Sequence, residues 1–404
     1  MENNGKPSGY RDVLRRAPFR RLWLGQVISR FGDGFYWLAI MLGVSQLTGG
    51  SIRAIGLVSI LFLLPQIPIG LLGGPMVDRL NRRQVMLVSD VVRVFTTLAC
   101  VLAYLQGSVL LLYAMALIQS VISGLFVPAK NAIIPQLVEE RDLLVANTLD
   151  MTTQVAAMIF GPALAGITIE RWGIPAGFVV DALTFLLSAL FIWRMGAVPT
   201  LGDGRVSFAA AWQDLVEGVR FAVFTPKIRH VTLVVSVLFL GLGAVNVIWL
   251  PYLQRIFHVG PQKVGLVDAF QGLGMLLGTA AMGHAWVRTR SPEMLLVGGL
   301  FIVSNMFIAL GLAPAYEFIL VATFILGIPV PAAQASFSTI VQRATPPELM
   351  GRVGGSVGTV TGGAMLLSMA LAATWADQIG LRETYMLCGG LGLAAVGLGL
   401  ATLR

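Results

Sequence analysis

The stretch GPMVDRLNRRQVM, residues 74–86, concentrates charge in a chain that carries little of it. Asp, Glu, Lys and Arg make up only 12% of the 404 residues, yet Asp78, Arg79, Arg82 and Arg83 stand almost side by side. Apolar sequence of about membrane-spanning length flanks the stretch on both sides. Because charge is costly inside a bilayer, these residues are expected to form a loop between two membrane spans.

The composition indicates a membrane protein. Hydrophobic residues account for 56% of it, and the mean hydropathy is +0.81. A soluble domain carries about 25% charged residues, roughly twice the fraction found here. Cys100 and Cys388 lie in apolar runs, where they are expected to be small buried hydrophobes. No disulfide framework, metal-binding spacing, catalytic pair or nucleotide loop is apparent, so an enzyme is not expected.

Apolar segments recur along the chain and predict its architecture. Twelve of them are long enough to cross a bilayer as helices, and they are continuously apolar rather than alternating. FVPAKNA (Phe126–Ala132) recurs as PVPAAQA (Pro329–Ala335), close to half the chain length away. The predicted fold is therefore an all-α membrane protein with twelve transmembrane helices in two six-helix pseudo-symmetric halves.

The predicted boundaries follow from this repeat. Residues 1–21 form an N-terminal segment, 22–198 the first bundle, 199–227 a linker and 228–404 the second bundle. Within the linker, FAAAWQDLVEGVRFAVF (Phe208–Phe224) has the spacing of an amphipathic helix on the inner membrane surface, and an ordinary solvated connector is the alternative.

Charge distribution predicts the orientation. The net charge is +8, but most Lys and Arg residues fall in alternate loops, which indicates a polytopic membrane protein and not a nucleic-acid partner. Both termini are expected in the cytoplasm, in the inner membrane of a prokaryote.

The charged loop carries a family resemblance. Gly74, Asp78, Arg79, Arg82 and Arg83 resemble the G-x-x-x-D-R-x-G-R-[RK] motif of the major facilitator superfamily, at the loop where that family has it. Asn81 replaces the usual Gly, and Asn also tolerates a left-handed turn. The resemblance implies a latch to the eleventh predicted span, which starts near Gly351, and this latch stabilises the outward-open state. A basic loop that only sets topology is the alternative.

A second resemblance concerns export. AAMIFGPALAG contains Gly161, Pro162 and Gly166, similar to the antiporter motif of exporters in that superfamily, although generic small-residue packing also fits. Four stretches resemble the branch that contains macrolide-efflux and enterobactin-exporter-type proteins: FRRLWLGQVISRFGD, DRLNRR, FVPAKNAIIPQLV and FVVDALTFLLSALF. The Arg that many drug–proton antiporters carry in helix 4 is missing here.

Charged residues inside predicted helices are candidates for coupling. Asp33 lies near the middle of helix 1 and is the first candidate for a proton-linked carboxylate, while a structural pair with Arg30 is the alternative. Lys130 and Asp150 are expected to pair, either statically or with the transport cycle.

Further polar residues complete the predicted site. Asn131, Asn246, Trp249 and Gln334 are candidates to line a central cavity. Asp90 and Arg93 are expected to support the inner loop, and Asp181 is expected to be structural and near the outer surface.

The predicted function is secondary active export of amphipathic small molecules by alternating access, with the proton gradient as energy source and no cofactor or metal. The expected partners are a small-molecule substrate and membrane lipids, and a monomer suffices. A lysophospholipid flippase or nutrient importer of the same fold remains open, as does a non-transporting membrane receptor or scaffold.

Overall fold

The computed structural model describes residues 9–70, 80–196, 208–284 and 289–402, and the side chains of 208–212, 214 and 215 are not among those described. Within these ranges, twelve helical segments are long and apolar enough to cross a membrane. The prediction of an all-α membrane protein with twelve spans is confirmed.

The helices, in chain order, extend over the following residues: α1 Tyr10–Arg15, α2 Ala17–Leu47, α3 Ile52–Leu63, α4 Arg82–Leu105, α5 Val109–Leu137, α6 Leu143–Trp172, α7 Ile174–Trp193, α8 Phe208–Phe224, α9 Pro226–Ile256, α10 Pro261–Ala281, α11 Pro292–Gly311, α12 Tyr316–Gly327, α13 Val330–Ala344, α14 Met350–Ile379 and α15 Leu381–Thr402. The second span continues past α3 to Gly70, and α12 and α13 together make the tenth span.

Side-chain caps begin several of the helices. The Ser51, Asn81 and Ser291 side chains accept hydrogen bonds from backbone N–H groups three residues later, at the starts of α3, α4 and α11. Such caps satisfy amides that have no partner inside the helix. Asn81 has φ −65° and ψ 106°, so it caps α4 in an extended conformation. The expectation of a left-handed turn at Asn81 was wrong, because capping requires a non-helical β-region backbone.

The same local structure occurs in both halves of the chain. A short 3-10 turn precedes both α6 (Glu140–Asp142) and α14 (Pro347–Leu349). A glycine with positive φ then joins each of these helices to the next, Gly173 at φ 82° and Gly380 at φ 101°. This backbone region is open mainly to glycine. The structural repeat is consistent with two pseudo-symmetric halves.

The chain forms two compact units. The first contains Met1–Gly43 and Pro68–Val206, and the second contains Val44–Ile67 and Ser207–Arg404. In the first unit, Val13 and Phe19 pack against buried residues of α5 and α6. In the second unit, buried aliphatic residues of α9, α11, α14 and α15 form a core.

Helix α8 lies in the second unit, at the bounds predicted for it. A Cβ on Gly218 would stand 2.2 Å from the Arg352 backbone oxygen, so α8 packs closely on α14. Glu217 and Arg352 also form an ion pair there. The segment is therefore a packed helix and not a solvated connector.

The second unit includes the end of α2 and all of α3. The Ser45 hydroxyl donates to Gln254 Oε1 at 2.6 Å, and Arg255 donates to the Gly50 carbonyl at 2.6 Å. Arg255 also pairs with Asp377 at 2.7 Å. Residues 44–67 thus pack with later helices at this end of the unit.

Candidate functional site

Three charged side chains meet in the first unit, each from a different membrane span. Asp150 on α6 lies between Arg30 on α2 and Lys130 on α5. Arg30 Nη2 is 3.1 Å from both carboxylate oxygens of Asp150. Lys130 Nζ is 3.0 Å from one oxygen and 2.8 Å from the other. We call these three residues the Asp150 triad.

Close helix packing brings the Asp150 triad together. A Cβ on Gly34 would lie 2.9 Å from the Gly161 carbonyl carbon, so α2 and α6 touch where neither residue has a side chain. Trp23 donates to Thr153 at 3.1 Å and fixes the same two helices nearer their N-terminal ends. Gly161, from the antiporter-like motif, therefore has an observed packing contact. Pro162 lies within α6, and Gly166 is buried on it.

The Asp150 triad carries an excess of positive charge. Two cations surround one carboxylate, and the Lys130 side chain is only 4% exposed, against 22% for Asp150. A buried charge is tolerated when it is paired and hydrogen-bonded, as Lys130 is here. Loss of the negative charge on Asp150 would leave both cations without their anion.

Asp33 stands apart from the Asp150 triad. Its side chain is exposed, and no hydrogen bond or ion pair links it to any other residue that the structure describes. The alternative pairing of Arg30 with Asp33 is not observed, because Arg30 is engaged by Asp150. The Lys130–Asp150 contact is present as expected from the sequence. The coupling roles of these four residues stay predictions.

The four residues predicted to line a cavity lie in different units, Asn131 in the first and the other three in the second. Asn131 on α5 is exposed, as is Gln334 on α13. Asn246 on α9 is half-buried and donates to the Leu242 carbonyl at 3.0 Å, and Trp249 is also half-buried. Their assignment to a cavity stays a prediction.

The charged loop is described in part. Gly74, Asp78 and Arg79 lie outside the described residues, so the latch stays a prediction. Arg82 donates to the Ala132 carbonyl of α5 at 2.9 Å. Arg83 donates to the Ile192 and Trp193 carbonyls, at 3.1 Å and 2.5 Å. These carbonyls lie in the last turn of α7, so Arg83 supplies additional donors at the C-terminal end of that helix.

A second ionic contact lies just outside the spans. Arg16, between α1 and α2, contacts Glu139 at 2.5 Å and the buried carboxylate of Asp142 at 2.8 Å. The hydrogen bond from Arg16 lowers the pKa of Glu139 below its usual value. The contact ties the start of the chain to the α5–α6 connection.

Sequence reasoning missed one cluster. It predicted that Asp90 and Arg93 support the inner loop and that Asp181 is structural and near the outer surface, without grouping the three. In the structure, Arg93 lies over the Phe126 and Phe185 rings, at 4.8 Å and 5.0 Å. The contact between α4 and α7 brings Asp90, Arg93 and Asp181 into one buried region. Residues 71–79 of the inner loop lie outside the described residues, so its support by Asp90 and Arg93 stays a prediction. Acidic residues within apolar spans were the available signal.

Comparison with known proteins agrees with the fold. The family model described as Major Facilitator Superfamily matches residues 22–242 and 231–404. Macrolide efflux protein A of Streptococcus pyogenes is 24% identical over 381 residues, with 93% of each chain covered. Enterobactin exporter EntS of Citrobacter koseri is 25% identical over 361 residues, covering 87% of this chain and 84% of the exporter.

A solved structure shows the same fold. The crystal structure of a bacterial homologue of the iron transporter ferroportin, in its inward-facing state, superposes with a TM-score of 0.77 at 14% identity. The match covers 95% of this chain and 98% of the other. At that identity the likeness concerns the fold alone.

Proposed function

Because the chain belongs to the Major Facilitator Superfamily, we propose that it exports amphipathic organic molecules by alternating access, in exchange for protons. The observation that carries this proposal is nearly full-length similarity to Macrolide efflux protein A and to an enterobactin exporter. Their names describe efflux of macrolides and export of enterobactin. The resemblance predicted from the sequence is confirmed, and the cargo and coupling of this chain are proposals.

Asp33 is the proposed coupling group. It is an exposed carboxylate in the first span, without an ion pair in the described part of the chain. Protonating it removes a charge without breaking a described bond. Coupling requires that proton affinity differ between the two conformations, and an accessible carboxylate on a moving helix can meet that requirement.

The Asp150 triad has a different proposed role. Arg30 and Lys130 hold Asp150 by four hydrogen bonds across three spans. Because α2, α5 and α6 must keep this register for all four bonds to form, the Asp150 triad stabilises one arrangement of the first unit. If these bonds open during the transport cycle, movement of the helices would change how the charges of Arg30, Lys130 and Asp150 are paired.

The proposed topology places both termini in the cytoplasm of a bacterial cell. Twelve spans return the chain to the side where it began. That side carries Arg16, Arg82 and Arg83, as expected for cytoplasmic loops. Arg83 at this end also donates to the last carbonyls of α7.

The test is efflux of a macrolide from proteoliposomes under an imposed pH gradient. The parent is compared with Asp33→Asn and with Asp12→Asn, a matched control on the exposed helix α1. We expect gradient-driven efflux in the parent and in Asp12→Asn, and no response to the gradient in Asp33→Asn.

The other outcomes are equally informative. Equal gradient dependence in the parent and in Asp33→Asn would remove Asp33 from coupling. An absence of macrolide and lipophilic-dye movement in the parent would contradict drug export. Lysophospholipids and nutrients would then be the next cargos to assay.

A further inference from the structure

The buried region between α4 and α7 contains two carboxylates and one guanidinium. The side chains of Asp90 and Asp181 are fully buried, and that of Arg93 is 6% exposed. Arg93 Nη1 is 3.7 Å from Asp90 Oδ1, too far for a hydrogen bond. We call Asp90, Arg93 and Asp181 the α4–α7 cluster.

Several buried polar atoms of the α4–α7 cluster lack hydrogen-bond partners among the described residues. Both oxygens of Asp90, Oδ1 of Asp181 and Nε of Arg93 have no hydrogen-bond partner among the residues that the structure describes. Thr97 donates to Asp181 Oδ2 at 3.3 Å. Buried polar atoms are normally satisfied, so these atoms call for an explanation.

The charge balance of the α4–α7 cluster explains these unpartnered atoms. With all three groups ionised, the α4–α7 cluster holds a net negative charge inside membrane spans, where an uncompensated charge is expensive. Arg93 stays charged, since a guanidinium does not lose its proton in proteins, and the Phe126 and Phe185 rings lie against it. One added proton makes the three groups neutral together.

Asp181 is the better holder of that proton. Asp90 has Arg93 within ion-pair distance, whereas no ion pair to Asp181 occurs in the described part of the chain. Oδ1 of Asp181 accepts no hydrogen bond from the described residues, so a proton can bind there without breaking one.

Asp181 packs against α2 at Gly32. A Cβ at Gly32 would stand 2.6 Å from Asp181 Oδ1 and 1.9 Å from Thr184 Oγ1. Asp181 therefore reaches the backbone of α2 directly beside Asp33, because residue 32 has no side chain. Asp33 faces both Asp90 and Asp181 electrostatically.

The other groups around the α4–α7 cluster are mostly neutral. Tyr36 on α2 and Cys100 on α4 face Asp181. Ser188 on α7 faces Asp90, and α5 contributes the Phe126 ring. Arg93 and Asp33 are the charged groups that face Asp181 from α4 and α2.

We propose that Asp181 is a second proton-binding site, which stores one proton in the α4–α7 cluster and exchanges it with the exposed carboxylate of Asp33. The storage site rests on burial, unpartnered oxygens and charge balance. Only its use in transport rests on the proposed function.

Infrared difference spectroscopy of the purified full-length protein tests the storage site without any cargo. The carbonyl stretch of a protonated carboxyl group is recorded at neutral pH, with labelled aspartate to assign it. We expect a band in the parent that disappears in Asp181→Asn. It should also disappear in Asp90→Asn, because Arg93 then balances an ionised Asp181.

Two further variants sharpen the assignment. Thr97→Val should keep the band and move it to higher wavenumber, because Asp181 then loses the hydrogen bond that Thr97 donates. If Asp181 had only a structural role, the Thr97→Val substitution would not shift the band. Asp377→Asn, at an exposed aspartate of the second unit, should leave the band unchanged. Persistence of the band at full intensity in Asp181→Asn, in variants that remain monodisperse and helical, would overturn the proposal.

Transport assays then separate this proposal from export itself. In proteoliposomes, Asp181→Asn is expected to move macrolide down its gradient but to lose the response to a pH gradient. Retention of the full pH response would overturn the exchange with Asp33. If the parent exports no macrolide, the infrared result still decides whether Asp181 stores a proton.

Discussion

The Asp150 triad and the α4–α7 cluster lie in the same unit and have opposite charge balances. The Asp150 triad has two cations around one carboxylate, and the carboxylate accepts four hydrogen bonds while remaining 22% exposed. The α4–α7 cluster has two carboxylates for one cation, is buried, and leaves most of its carboxylate oxygens unpartnered. The difference indicates that the Asp150 triad is a fully hydrogen-bonded ion cluster, whereas the α4–α7 cluster needs one bound proton to be neutral.

The largest expected effect is loss of the carboxylate in the Asp150 triad. Asp150→Asn leaves Arg30 and Lys130 without their anion, and removing one partner of a buried pair costs about 3–5 kcal/mol. The midpoint of thermal unfolding in detergent should fall clearly. Asp33→Asn, which breaks no described bond, should change stability by less than about 0.5 kcal/mol.

A double variant checks the cause. Lys130→Gln combined with Asp150→Asn removes one cation with the carboxylate and should recover part of the lost stability. If the double variant is no more stable than Asp150→Asn, the charge balance of the Asp150 triad is not what holds the three spans.

The second effect concerns the close contact that aligns α2 with α6. Gly34→Ala would place a Cβ 2.9 Å from Gly161 backbone, which forces a shift. Overpacking of this kind costs about 1–3 kcal/mol. The same substitution at Gly43 meets only ordinary contacts at 3.6 Å or more.

Gly43→Ala is therefore the matched control on the same helix, and it should be neutral or slightly stabilising. Thermal unfolding of both variants measures the difference. Equal stability of the two would show that α2 and α6 do not need to touch at Gly34.

The smallest expected effect is the pH dependence of the Arg16–Glu139 contact. Arg16 lowers the pKa of Glu139 in the folded chain. The contact therefore adds stability at neutral pH, above the ordinary carboxyl pKa of about 4.3, and loses it as pH falls through the lowered value. Because Glu139 is exposed, the gain is small.

Glu139→Gln should thus unfold at a slightly lower temperature than the parent at neutral pH. The two should converge in acid, where Glu139 is protonated. A difference that grows on acidification would contradict this account of the contact.

Local sequence patterns predicted much of the fold. Apolar length predicted the twelve spans, and helical spacing predicted α8. Lys130 and Asp150 could be matched because they lie in consecutive spans at similar depth. These features depend on residues close in sequence or on simple membrane geometry.

Contacts between distant spans could not be predicted in the same way. Arg30 bonds to Asp150 and not to Asp33, since the Gly34–Gly161 contact brings α6 against α2. Asp181 lies against the backbone of α2 because Gly32 has no side chain. Which small residues face each other is set by helix packing, and a single sequence does not show it.

The most direct test of the central claim is the pH inside proteoliposomes loaded with macrolide and a pH-sensitive dye, with no pH gradient imposed. Proton exchange predicts that outward movement of macrolide acidifies the lumen, and that Asp33→Asn abolishes the acidification. Macrolide efflux at the parent rate with an unchanged lumenal pH would contradict proton-coupled export.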